Sequence, residues 1–180
     1  MQLLFVILSF LSISSALPQP VVERDAPSLL ATINDLNTAI TKLTTAVNGF
    51  DGSLLGLLPQ ALAVVKAEAT VDITILKATH IAESSANFTA AESQEIVGAL
   101  ATQIGPIEDS LNALKAKYPQ FKKTLTAPIV LLDLKTLKKH TNGLIDAISA
   151  KVTPDNAGLL GLGKGILTQA FDDAIAVYSA

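Results

Sequence analysis

Seven apolar residues, Leu29, Ile33, Leu36, Ile40, Leu43, Val47 and Phe50, recur at alternating intervals of four and three. Most of what lies between them is polar, including Asn34, Asp35, Asn37, Thr38, Thr41, Lys42, Thr44, Thr45 and Asn48. On a helical period this makes one apolar stripe along a polar helix about 30 Å long. Burying that stripe at best offsets the entropy of ordering the backbone, so the helix needs partners with matching faces.

The same period returns along the chain. A second helix, from about Leu57 to Ser84 with Pro59 in its first turn, carries a stripe of Leu58, Leu62, Val65, Ala69, Ile73, Leu76 and His80. Thr89-Ala90-Ala91-Glu92 has the form of a capping box and opens a third helix. Its stripe is Ile96, Leu100, Ile104, Ile107, Leu111, Leu114 and Tyr118, and it ends at Pro119. Gly105-Pro106 falls inside that run. The stripe keeps its phase across the proline, which predicts one kinked helix and not two. A connection over 119–127 leads to a fourth helix with Val130, Leu134, Leu137, Thr141, Leu144 and Ile148. Thr153-Pro154 starts a fifth, ending on Ala170, Phe171, Ala174, Ile175 and Tyr178. Short connections make consecutive helices antiparallel, so the fold class is an all-α bundle of about five long amphipathic helices.

No cysteine occurs in the 180 residues. The bundle is therefore held by packing alone, and thiol chemistry, Cys-ligated metal and the disulfide-containing helical inhibitors of plant enzymes are excluded. Hydrophobic residues make up 49% of the chain but aromatics only 4%, with no Trp, so the core is aliphatic. A net charge of −3 argues against nucleic-acid binding.

The apolar run Leu3 to Leu8 with Phe10-Leu11, followed by small residues at Ser14 and Ala16, reads as a signal peptide cleaved after Ala16. Residues 17–27, with three prolines and Glu23-Arg24-Asp25, form a flexible leader, and residues 28–180 a single helical-bundle domain. The signal stretch is too short to span a bilayer as a mature helix. Phe171-Asp172-Asp173 interrupts the only candidate for a C-terminal hydrophobic tail, so neither a transmembrane segment nor a lipid anchor is expected.

The candidate sites are few. Gly158-Leu159-Leu160-Gly161-Leu162-Gly163-Lys164-Gly165 approaches a phosphate-binding loop, but Gly165 stands where Ser or Thr would hold magnesium, and no strand pattern precedes it. The segment reads better as a flexible apolar start to helix 5, as a close helix contact, or as a lip where apolar material enters beside Leu159 and Leu160. His80 and His140 lie apart, with no metal-ligand spacing, and no nucleophile elbow is present. No catalytic, metal or cofactor site is expected. Lys115, Lys117, Lys122, Lys123, Lys135, Lys138 and Lys139 concentrate positive charge. They suit either a solvated surface or contact with an acidic partner, a polysaccharide phosphate or a fatty-acid carboxylate. Asn87-Phe88-Thr89 is a glycosylation sequon on a predicted exposed loop, although Thr89 is also the helix cap.

Arg24-Asp25 leading into helix 1, the run from Ile33 to Leu43 and the closing Phe171-Asp172-Asp173-Ala174-Ile175 carry a family resemblance. With the export signal, the Pro-rich leader and the cysteine-free Ala/Leu/Thr-rich helices, the chain resembles the fungal hydrophobic surface-binding protein A family. That family includes the antigenic cell-wall galactomannoproteins. The resemblance implies a secreted all-α protein without enzymatic activity, found in the extracellular space or cell wall. Its implied partners are a fatty acid held between the helices or an apolar solid such as a polyester, where a secreted hydrolase can be recruited. A structural wall antigen, or an adaptor that meets a hydrolase or wall polysaccharide through the Lys-rich region, is the alternative. The chain lacks the long Ser/Thr-rich C-terminal tail of the galactomannoproteins, which favours a freely secreted form. Under this reading the candidate lining is Leu36, Ile40 and Leu43 at mid-height of helix 1, with Leu62, Val65, Leu100, Ile104 and Leu137 from the other stripes and Leu159 and Leu160 at the lip.

Overall fold

The computed structural model describes residues 24–53 and 56–180; the expected signal peptide and most of the leader lie outside the described residues. Helices are α1 (Ala26–Asn48), α2 (Leu57–Ser84), α3 (Ala90–Ala101), α4 (Ile104–Lys123), α5 (Ala127–Ser149) and α6 (Pro154–Ser179), with no strand among the described residues. α3 and α4 are the two arms of one helix bent by 25° at residues 102–103, which gives five helices among the described residues.

Local chemistry sets these boundaries. Asp25 accepts from the Ser28 amide and caps α1, so the helix begins slightly ahead of the expected Ser28, with Pro27 inside its first turn. Thr89 and Glu92 form the predicted capping box at α3. The bend lies one turn before Pro106, where the physics of proline places it. Pro106 has no amide hydrogen to return to the carbonyl of Thr102, and its ring crowds that carbonyl. Gln103 turns back to bond Leu100 at 2.9 Å, tightening the chain at the bend.

One expected boundary is corrected. Pro119 does not end the helix: α4 continues to Lys123. A proline this close to the end removes one ladder bond, while the turn beyond it is anchored by Phe121, 2% exposed and stacked on Phe50 at 4.3 Å. The stop comes at Leu125, whose φ of +60° lets Thr126 donate back to the Phe121 carbonyl at 3.0 Å, closing the helix end as a glycine usually would.

The helices close a ring. α1 packs on α2, α2 on α5, α5 on α6, α6 on α4, and α4 on α1, with α3 leaning on α1 and α6. All seven stripe residues of α1 are buried, as are the six predicted on α5. Thr32 sits in the buried face of α1 because its hydroxyl donates to the Ser28 carbonyl at 2.8 Å. At one end Tyr178 of α6 donates to the Leu114 carbonyl at 2.7 Å and meets Phe121 and Tyr118. At the other, Phe88 donates to the Lys151 carbonyl and Thr153 to the buried Ser93 hydroxyl, tying the start of α6 to α3.

The stripe of α2 is also corrected. Its buried residues are Val64, Val71, Ile75, Ala78 and Ala82. The expected stripe instead faces out: Leu58, Leu62, Val65, Ile73 and Leu76 are 82, 67, 49, 67 and 44% exposed. His80 is exposed and Ala69 half-buried. Both sets follow the helical period, on opposite faces, so periodicity could not choose between them. The smaller set is the one that lets α2 approach α1 closely.

The α2–α5 seam carries Glu68, Asp72, Asp133 and His140. Nδ1 of His140 lies 2.5 Å from Oδ1 of Asp72. Burial, then the charges of Asp133 and Asp72, push the Glu68 carboxyl up to about 7, against a smaller opposing effect of His140. Burial and Asp72 also raise Asp133. A carboxyl that holds its proton more tightly folded than unfolded destabilises the fold as pH climbs. For Glu68 this loss begins above its ordinary value of 4.5 and is complete above about 7. The half-exposed position keeps the effect modest. We expect Glu68→Gln to raise the thermal midpoint at pH 8 relative to the parent and to leave it nearly unchanged at pH 4, as read by circular dichroism melts.

An apolar cavity at the centre of the ring

The ring of helices does not fill its own centre. A cavity of about 490 Å³ lies between all of its members, within the roughly 300–1,000 Å³ of small-molecule sites. Leu36, Ile40 and Leu43 supply the α1 wall, Leu100 and Ile104 the wall beside the bend, and Leu137 the α5 wall. Leu159 and Leu160 stand at the start of α6. Leu62 and Val65 do not reach the cavity; they lie on the outer face of α2, and Val71 and Ile75 take the inner position. Ile107, Leu144 and Leu167 complete the wall. Along α6 the lining runs from Asn156 to Phe171, about 22 Å of helix axis.

The mouth lies between α3 and the glycine-rich part of α6. Leu159, Leu162 and Ile166, 57, 69 and 47% exposed, face the exposed Gly98 and Ala101. The glycines are not there for close helix contact. A Cβ placed on Gly158, Gly161 or Gly165 meets nothing within 4 Å, and on Gly163 it meets Ile104 Cδ1 at an ordinary 3.6 Å. Gly158, Gly161 and Gly165 lie on the exposed face of α6 and only Gly163 reaches the lining, so together they soften the helix beside the mouth. The segment is helical throughout, so it forms no phosphate-binding loop.

Polar groups in the wall are few. Lys164 is the one charged side chain of the lining among the described residues, and it spans to both carboxylate oxygens of Asp146 at 2.6 and 2.7 Å. Deeper in, Gln103 and Ser110 are 3 and 5% exposed, and neither Gln103 Oε1 nor Ser110 Oγ has a hydrogen-bond partner. Both lie on the α3–α4 wall. Their sequence signal was available: positions 96, 100, 103, 107, 110 and 114 keep the apolar register, and Gln103 and Ser110 are its two polar members. Among the described residues no cluster of His, Asp and Glu could hold a metal, and no helix is long and apolar enough to cross a membrane.

The fold and its centre define a class: an all-α bundle built around an apolar ligand-sized cavity. The family model for hydrophobic surface binding protein A matches residues 26–150, and the chain belongs to that family. Among solved structures it is similar to AfMP4p in complex with palmitic acid, at 32% identity and a TM-score of 0.81, covering 86% of this chain and 99% of that one. Ligand-binding domain 1 of Penicillium marneffei MP1 protein, complexed with arachidonic acids, aligns at 14% identity and TM-score 0.77, over 87% and 98% of the two chains. Domain 2 of the same protein, complexed with multiple arachidonic acids, gives 15% and 0.78, over 88% and 99%. These last two establish the shared fold. No curated protein sequence matches the chain.

Because nothing packs on them, Gly161 and Gly165 are replaceable without strain. The double substitution Gly161→Ala, Gly165→Ala should raise stability by about 1–2 kcal/mol in denaturant melts.

Proposed function

We propose that the protein is an extracellular, non-enzymatic binder of long-chain fatty acids, taken up whole between the helices. The cavity carries this reading: an apolar void that runs along much of one helix is unneeded for stability and costs packing energy while empty. The relative in complex with palmitic acid, similar over almost its entire length, supports the same ligand class. Release follows from the expected signal peptide of residues 1–16 ahead of the leader and the bundle. Asn87, exposed on the α2–α3 connection, is the proposed glycan site. Native mass spectrometry after loading with hexadecanoic acid should show one or more acyl adducts; apo protein alone would contradict the reading. Leu137→Trp, which fills the cavity from α5, should weaken acyl binding at least tenfold with the fold retained.

The outer face of α2 favours a second reading. Leu58, Leu62, Val65, Ile73 and Leu76 lie along about 27 Å of one helix and are largely solvent-exposed. This is the geometry of a helix that lays one face on an apolar surface, and it suits the surface binding for which the family is named. The adaptor alternative has no such observation. The seven lysines are divided between α4 and α5, which touch each other only slightly and both pack on α6, and Lys138 is already 2.5 Å from Asp172. Replacing Leu62 and Val65 together by Asp should reduce adsorption to polyester beads severalfold. The same change should leave acyl binding intact and stability within about 0.5 kcal/mol.

A further inference from the structure

The outward stripe of α2 has an internal symmetry. Its seven residues, from Leu58 to His80, follow intervals of 4, 3, 4, 4, 3 and 4, two eleven-residue repeats that meet at Ala69. The spacing reads the same from either end about that residue. α2 packs on α1 and α5 through its inner face, and among the described residues no helix covers the outer one.

A two-fold axis makes such a palindrome complementary to itself. In an antiparallel pair of α2 helices that cross at Ala69, Leu62 of one copy faces Leu76 of the other and Val65 faces Ile73. Leu58 then faces the exposed His80, and every contact occurs twice. The smallest residue of the stripe sits at the crossing, where it lets the two helices approach. Eleven residues in three turns nearly match the natural helical period, so the two stripes stay in register along their length.

The area agrees. At their observed exposures the five Leu, Val and Ile side chains of the stripe present roughly 500 Å² of apolar surface, near the upper end for the largest patch on a monomer. A stable dimer buries about 800 Å² on each partner, and about two-thirds of it is apolar where the partners are identical. The stripe supplies that apolar share. Its rim is polar, with exposed Lys66, Thr70 and Lys77 along one side and Asp72, held by His140, along the other. Neither lysine nor carboxylate enters the stripe itself. We propose that the protein pairs with a second copy of itself through α2, antiparallel and centred on Ala69. The pair covers in solution the face that would lie on an apolar solid, so self-pairing and adsorption compete for it. The inference stands on the exposed stripe and on neither proposed function. The mouth of the cavity lies between α3 and α6, neither of which borders α2 in the ring, and it stays open in the pair.

Sedimentation velocity of the intact exported protein over a range of concentrations should show a monomer–dimer equilibrium. The double variant Leu62→Asp, Val65→Asp should be monomeric, with its helical circular dichroism unchanged. Because the chain has no cysteine, single replacements report the register. Ala69→Cys should oxidise to a covalent dimer at least about tenfold faster than Leu132→Cys, an exposed site on α5, because pairing raises the local concentration of the thiol. Leu62→Cys alone should stay unlinked. Combined with Leu76→Cys it should link two chains, since the two positions lie too far apart along one helix to bridge within it. A parent that is monomeric throughout, a dimer that persists in the Asp variant, or equal oxidation of Ala69→Cys and Leu132→Cys would overturn the inference. So would a Leu62→Cys variant that links to itself, since that requires parallel helices. A monomer that still adsorbs to polyester would remove the pairing and leave the surface reading standing.

Discussion

Everything in this molecule follows from the need to bury five apolar helical faces together with no covalent cross-link. The absence of cysteine leaves packing as the sole source of cohesion. Each helix is marginal until its stripe is covered, and the ring of α1, α2, α5, α6 and α4 covers all of them at once. Five rods around a common axis leave a central gap that side chains must fill. With aromatics at 4% and no Trp, aliphatic side chains line that gap and do not close it. Of the aromatic residues Phe171 reaches the lining, whereas Phe50, Phe121, Tyr118 and Tyr178 cluster at one end of the ring.

Two irregularities shape the gap into a site. Pro106 breaks the ladder one turn upstream and bends the α3–α4 helix, placing Gln103 in the wall. The glycines of α6 soften the facing helix beside the opening. Both features cost stability locally, and the packed seams of α1 on α2 and of α5 on α6 supply it.

Much of this was legible in the residue pattern, and the failures have physical causes. The stripe of α1 stands on an otherwise largely polar helix and that of α5 keeps one phase over its whole length, and every residue of both is buried. α2 carries apolar residues on both faces, and the period is identical for each. The larger Leu and Ile side chains favour the outer one, which puts Leu62 and Val65 in the expected lining and hides Val71 and Ile75. Pro119 looks like a stop because proline rules are local, whereas the stacking of Phe121 on Phe50 joins residues distant in the chain. The remaining eight candidate lining residues do face the cavity. Gln103 and Ser110 escape a reading of the stripe for its apolar residues, although both hold its register and are buried.

The proposed function rests on an acyl chain lying inside the ring. Crystals grown with a long-chain fatty acid brominated at its terminal carbon would locate the chain by anomalous scattering. A bromine peak enclosed by Leu36, Leu137 and Leu144 is the result expected. A peak confined to the outer face of α2, against Leu62 and Ile73, would contradict it.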